Sequence, residues 1–342
     1  WESTQLDTDF INMLKTDFDQ VWVVTQWHKT CLIEQGIEES KIYIVREAVD
    51  PEVVPCRFLE KEFHPIEYYR DDYFNFIFFG RWDYRKSIKE IIETFLKTFD
   101  KTEPVDLIIS VDNPFSNDGL NSTEGRLQHY GLDDDRIKIL HFPPREEYIR
   151  LLKSCSVFVS CARSEGWNLP LIEAMACGTP SIYSNCCAQL EFAEGKGFPV
   201  NIIGEKPVDA STYSHFNDSV GNYYEPDFKD LGKKMWDVVT NYSKYEQLAL
   251  EESRIGEKDK AKEVLEGMPT EVQTVAYKNI MGLYDDAENF IKIMEKHSAE
   301  AEPYIDHLKK LVTVIEKNTE VMLDNFLKYV ESGKPVTNTQ KL

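Results

Sequence analysis

The sequence predicts an α/β protein: a parallel sheet flanked by helices, followed by an all-helical C-terminal region. Three observations carry this. Between Val21 and about Val200, short β-branched or aromatic runs alternate with helical patterns, and such alternation puts parallel strands beneath helices on both faces. After Phe79, the residues Ile88, Ile91, Ile92, Phe95, Leu96 and Phe99 recur at helical spacing, so one face of that segment is buried. Beyond Asp227 the strand-like runs stop and helical periodicity takes over.

In order, Val21–Val24 reads as a strand, and a helix from about Gln26 stops at Gly36. Lys41–Val45 is the next strand. The polar, proline-dotted stretch after Asp50 has no periodicity and reads as a linker over 51–72. Asn75–Phe79 then starts a cleaner unit, with Ser87 and Glu90 spaced as a capping box for the helix that follows. Strands are expected at Val105–Ser110, Ile137–Leu140, Val157–Ser160 and Ser181–Tyr183, with helices at about Glu146–Ser154 and Pro170–Cys177. The domain reading is 1–50, 51–72, 73–226, a helical region 227–332 and a disordered polar tail 333–342. Helices are expected at roughly Asp227–Ser253, Glu271–Lys296 and Tyr304–Ser332, and Ala276 to Phe290 loosely resembles one helical-hairpin repeat.

A hydrophobic fraction of 42% in 342 residues supports a real core rather than disorder. The formal net charge of -21 argues against sequence-independent nucleic-acid binding, which needs basic surface. The seven cysteines show no CxxC pair and no spacing with histidine suited to zinc, so they read as reduced core thiols of a cytoplasmic protein. No run of 18 apolar residues marks a transmembrane helix. The first residue is Trp1 rather than Met, which reads as a fragment or processed product. Asn121-Ser122-Thr123 fits a glycosylation sequon.

In open α/β sheets, ligands sit outside the carboxyl ends of the strands. Two loops there have unusual content. In Gly80-Arg81-Trp82-Asp83-Tyr84-Arg85-Lys86-Ser87, three cations crowd a helix N-terminus that already carries partial positive charge. A phosphate would resolve the conflict, and so would pairing with local carboxylates such as Asp83. The second loop runs from Ser164 to Pro180. There Pro170 suits a first helical turn and Gly178 its C-terminal cap. Gly166 allows close backbone approach, and the amides of Trp167, Asn168 and Leu169 would face the crevice. Glu165 and Glu173 would face one cavity, as acceptors for the vicinal hydroxyls of a sugar or ribose, or as complements to the helix dipole.

Ser164 to Pro180 resembles the signature of retaining glycosyltransferases of the GT-B fold, family 4: two glutamates seven residues apart, then Ala-Met-Ala-x-Gly-x-Pro. The Gly80-Arg81…Lys86 loop is similar to the family's other donor motif, and Trp22 to Asp50 resembles the end of its acceptor domain and the crossing into the donor domain. The resemblance implies a Rossmann-like donor domain, with the acceptor domain largely missing. It implies transfer of a sugar, with retention, from a nucleotide diphosphate sugar and without a metal or other cofactor. Arg81 and Lys86 would bind the diphosphate and stabilise the leaving group, with Gly80 beside them. Glu165 would hold hydroxyls of the transferred sugar and Glu173 the ribose. Gly166 and the amides around Trp167, Asn168 and Leu169 would hold the distal phosphate and the sugar. Glu191 matches a further acidic position, and the strand end at His141-Phe142 would flank the base. Ser87 and Ala48 stand where the family usually has glycine, and Cys187-Ala188 where paired small residues approach the phosphates.

Asp7-Thr8-Asp9 and Asp17-Phe18-Asp19 look like a metal-binding DxD, but neither follows a donor-domain strand, and such triplets arise easily in an acidic chain. No strand is followed by GxGxxG, which argues against a dehydrogenase. The competing reading is a non-catalytic nucleotide-sugar-binding module whose helical tail docks a protein partner; a phosphorylase or epimerase of the same fold is a third.

Overall fold

A computed structural model describes residues 1–49, 73–114, 119–120, 122–208, 220–250 and 252–253. All of them fall in one compact unit spanning 1–57 and 62–254. The expected linker 51–72, the sequon residue Asn121, the helices and single repeat beyond 253 and the tail 333–342 lie outside the described residues.

The centre is a six-stranded, all-parallel sheet in the order β5-β4-β3-β6-β7-β8. Its strands are β3 (Phe74–Phe79), β4 (Val105–Ser110), β5 (Ile137–Ile139), β6 (Val157–Ser160), β7 (Ser181–Ser184) and β8 (Phe198–Val200). The chain winds outward from β3 through β4 to β5, then returns to lay β6 against the other edge of β3. The winding therefore reverses between β3 and β6, which is where open α/β sheets form their binding crevice.

Both faces are covered, which explains why the central strands are apolar throughout rather than alternating. Phe76 and Phe78 point to one side and pack on Ile88, Ile91, Ile92 and Phe95 of α3 (Ile88–Thr98) and on Leu231, Met235 and Val238 of α8 (Phe228–Thr240). Ile77 and Phe79 point to the other, among Ile149 and Leu152 of α5 (Arg145–Ser154) and Leu171 and Ala174 of α6 (Leu169–Ala176). Gly178, at φ 70, ends α6 as expected, its amide donating to the Met175 carbonyl at 3.0 Å.

Several elements lie where the sequence pattern predicts none, the edge strand β8 among them. The helix α1 (Thr8–Thr16) is capped by Asp7, whose carboxylate accepts the Asp9 amide at 2.9 Å. The short helix α7 (Leu190–Ala193) carries Glu191. The helix α4 (Thr123–Tyr130) is weakly amphipathic but is capped by Ser122 and closed by Gly131 at φ 65. An antiparallel ribbon joins β9 (Ile202–Pro207) to β10 (Asn222–Pro226). Its outward strand is exposed along most of its length, so no buried face marks it in the sequence. The expected helix from Asp227 to Ser253 is interrupted at Asn241, after which residues 242–250 are helical again.

The capping box is corrected. Ser87 has a left-handed backbone (φ 55) and makes no side-chain cap bond, because a capping side chain needs the extended conformation that this position does not have. Ahead of the sheet, β1 (Val21–Val23) and β2 (Ile42–Ile44) pair in parallel, with α2 (Gln26–Glu34) between them. Ile11, Val21, Val23, Leu32, Ile37 and Ile42 form their own small core. No helix among the described residues is long and apolar enough to cross a membrane.

Phe76 has no solvent exposure and touches Phe74, Phe95 and Phe99. Phe76→Ala is expected to cost about 3–5 kcal/mol in urea denaturation, as truncations of buried aromatics do, whereas Phe142→Ala, at 65% exposure, is expected to change stability by less than about 0.5 kcal/mol.

Candidate functional site

Three loops leave the carboxyl ends of β3, β6 and β7, and each contains one residue in the left-handed region: Ser87 (φ 55), Asn168 (φ 74) and Cys187 (φ 55). These are the non-glycine residues with positive φ among the described residues. Such a conformation costs about 1–3 kcal/mol and persists where the surroundings over-determine it, most often at functional sites.

After β3, an open cavity of about 440 Å³ is lined by Gly80, Arg81, Arg85 and Lys86 on one side and by Phe142 and Tyr148 on another. Gly80 packs so closely that a Cβ there would lie 3.0 Å from the Phe78 ring. The three cations meet different fates. Arg81 is 48% exposed, with its Nε 3.9 Å from Asp83. Lys86 places Nζ 2.6 Å from Glu165, and the Arg85 guanidinium is 3.1 Å from the same carboxylate and 3.3 Å from Glu2. Asp83 instead accepts the Lys86 backbone amide at 2.8 Å. Burial pushes the Glu165 carboxyl up, but Lys86 and Arg85 outweigh it and hold it below the usual carboxylate range.

After β6, Glu165 and Glu173 are both buried, at 3% and 6% exposure. Neither lines the cavity, contrary to expectation; of their partners, Arg85, Lys86 and Tyr148 do. Glu173 receives an ion pair from Arg145 at 2.6 Å and a hydrogen bond from the Tyr148 hydroxyl. Burial, then the Glu173 charge, pushes the Tyr148 phenol far up, so it remains a donor. The amides of Trp167, Asn168 and Leu169, at the start of α6, find no acceptor among the described residues. Asn168 is held in its left-handed conformation by donating to Ser160 and Gln189 at 3.1 and 2.8 Å. The buried Ser164 hydroxyl and Trp167 Nε1 have no partner among the described residues. Phe142 is exposed at the cavity mouth, while His141 beside it contacts Asp112 and Glu124.

Two predicted residues face the chain's own N-terminal segment. A Cβ on Gly166 would lie 3.2 Å from the Trp1 carbonyl, so the close approach is to Trp1 and His28 rather than to a cavity wall. Glu191 accepts from Arg46 at 2.6 Å and from the Gln26 amide at 3.1 Å, the first amide of α2. His28 is buried between the Thr25 hydroxyl at 2.8 Å and the Trp1 carbonyl at 3.2 Å, and burial lowers its pKa to about 4.

This is a crevice at the reversal of a parallel sheet, with a cationic cavity on one loop and unpaired helix amides on the other. Residues 60–200 match the family described as Glycosyl transferases group 1. The matched stretch contains both loops and the sheet between them. Over 151 residues the chain is 28% identical to a putative glycosyltransferase of Acidianus filamentous virus 2, an alignment covering 43% of this chain and 41% of that one. Over 173 residues it is 25% identical to the alpha-monoglucosyldiacylglycerol synthase of Streptococcus pneumoniae, covering 48% and 36%. The alignments therefore span less than half of those relatives' lengths. The fold is similar to that of Anabaena HepE, solved with UDP-glucose, at a TM-score of 0.56 and 16% identity over 72% of this chain and 61% of that one. The sheet and its covering helices are those of the GT-B glycosyltransferase structures.

Within the matched stretch, Arg145, Tyr148 and Arg163 are polar residues that sequence reasoning missed. Arg145 and Tyr148 are three apart on the first turn of α5, a spacing that places them on one face and could have flagged them. Arg163 carried no such signal. Its side chain donates to the Tyr84 carbonyl at 2.6 Å, to Ser87 Oγ and Glu90 at 2.8 Å, and to Glu225 at 3.2 Å. Its guanidinium also lies 3.8 Å from the centre of the Tyr84 ring. The two groups assigned to the capping box, Ser87 and Glu90, are both partners of this arginine.

Arg163→Met is expected to cost about 3 kcal/mol by urea denaturation, the low end for breaking a buried pair, because Glu90 and Glu225 are about a quarter exposed. His28 supplies a pH prediction. Its folded pKa lies below the unfolded value of 6.5, so the unfolded chain binds the extra proton first. Stability is present in full above 6.5 and is lost as pH falls toward 4, by up to about 3 kcal/mol. His28→Gln should flatten the slope of urea stability against pH in that window; an unchanged slope would show that His28 is not its source.

Proposed function

We propose that this chain is the donor half of a glycosyltransferase, holding a nucleotide diphosphate sugar in the crevice between β3 and β6 and transferring the sugar with retention. The observation that carries the reading is the cavity lined by Gly80, Arg81, Arg85 and Lys86, in an otherwise acidic protein, at the reversal point of the sheet. A diphosphate is the ligand that such a cavity favours, since bidentate guanidinium and ammonium contacts match its oxygens. The match of residues 60–200 to group 1 glycosyl transferases supports the same chemistry.

In this reading Arg81 and Lys86 neutralise charge developing on the leaving diphosphate, which needs no metal ion. The amides of Trp167, Asn168 and Leu169, with Gly166 beside them, hold the distal phosphate and the sugar. Glu173 takes the ribose hydroxyls, oriented by Arg145 and Tyr148, and Phe142 flanks the base. Glu165 takes hydroxyls of the transferred sugar. The donor phosphate then competes with Glu165 for Lys86, and Arg85, 3.1 Å from Glu165, keeps that buried carboxylate compensated when Lys86 turns to the phosphate. Glu191 anchors Arg46 and the first amide of α2.

The test is thermal stability with UDP, GDP and ADP, each against Arg81→Ala and Glu173→Ala. A ligand at about 100 times its dissociation constant stabilises the fold by about 2.7 kcal/mol. One nucleotide should raise the melting temperature, with the shift lost in both variants. If no nucleotide does so for the folded chain, the donor reading fails.

A further inference from the structure

A second open cavity, of about 900 Å³, shares no lining residue with the first and has the opposite charge. Its walls come from three places: Trp27 on α2, the stretch after β7 that includes Asn185, Leu190 and Glu194, and the β9–β10 ribbon. Glu191, Glu194 and Glu205 all line it, and among the described residues no lysine, arginine or histidine does. Arg46 offsets one of these charges by pairing with Glu191, and Glu205 accepts from the Asn222 side chain at 2.9 Å. The remaining field still repels anions, so a nucleotide or a phosphorylated compound is disfavoured there.

Apart from Asn185, the other side chains of the wall are aromatic and apolar. Trp27 donates its Nε1 to the Tyr224 hydroxyl at 3.4 Å, which joins two aromatic residues of the wall. Burial pushes the Tyr224 phenol up to about 12, which leaves its own hydroxyl proton available for donation. Carboxylates that accept paired hydroxyls, beside aromatic surface that covers C–H faces, suit a ring that is polar at its edge and apolar on its face. The volume exceeds what a single sugar ring fills.

We propose that this cavity binds the glycosyl acceptor, and that the acceptor is an uncharged saccharide. The assignment rests on the transferase reading for the word acceptor, and on the cavity alone for the chemistry. Trp27 and Tyr224 pack against the sugar faces, Glu205 and Glu194 accept its hydroxyls, and the donor occupies the cationic cavity at the same time. Because the ribbon supplies Glu205 and Tyr224, it acts as a specificity element.

The experiment is calorimetric titration of maltose, cellobiose and lactose, with glucose 6-phosphate as the charged control, into the whole chain alone and saturated with UDP or UDP-glucose. At least one neutral disaccharide should bind in all three states, and glucose 6-phosphate should bind at least about tenfold more weakly. Trp27→Ala and the surface change Glu205→Gln should each weaken the saccharide by about tenfold or more, while Glu205→Gln leaves the UDP thermal shift unchanged. If UDP binds but no neutral disaccharide does, the proposal is overturned. Displacement of the saccharide by UDP-glucose but not by UDP overturns it too, by giving the cavity to the donor's own sugar. If a disaccharide binds but no nucleotide does, the saccharide site stands, while the transferase reading and the acceptor role fall.

Discussion

The guanidinium of Arg163 is the constraint on which the crevice depends. It lies just after β6, yet its hydrogen bonds go to the loop after β3, to the start of α3 and to Glu225 at the end of β10. Its own carbonyl accepts the Tyr224 amide, and its amide donates to the Arg85 carbonyl. One residue thus ties both strands at the reversal point to the ribbon. Holding Ser87 in the left-handed region follows from this, since the arginine binds both the Ser87 side chain and the carbonyl of Tyr84 three residues before it.

Buried charge at this site is compensated in a chain of local partnerships rather than by solvent. Glu165 answers Lys86 and Arg85, Glu173 answers Arg145, and Glu90 and Glu225 answer Arg163. Removing one partner of such a pair leaves an uncompensated charge in a poor solvent, which makes the network geometrically strict. Strictness of this kind suits a site that must present cations to a ligand at fixed positions.

The N-terminal segment belongs to the same design. Glu191 supplies an acceptor to the first amide of α2 and pairs with Arg46, so the α7 region and residues 26–46 are held together. Trp1 and His28 close over Gly166, and Glu2 reaches Arg85. Two cavities of opposite charge result, one lined by cations of the β3 loop and one by carboxylates of α7 and the ribbon.

The strands β3 to β7 and the helices α3, α5 and α6 were legible in the sequence because their apolar residues report burial, whereas the edge strand β8, only partly buried over three residues, was not. The identity of the loops was legible too, because glycine, proline and clustered cations report local backbone and charge. α4 and the β9–β10 ribbon were not, since one is stabilised by its caps and the other by pairing with a distant strand, neither of which shows as periodicity. Where the carboxylates of Glu165, Glu173 and Glu191 point, and that Ser87 serves Arg163 instead of capping α3, only the tertiary structure decided. The physical reason is that a side chain's partner is set by which loops the fold brings within hydrogen-bonding distance, and Arg163 and Ser87, or Glu191 and Gln26, are far apart along the chain.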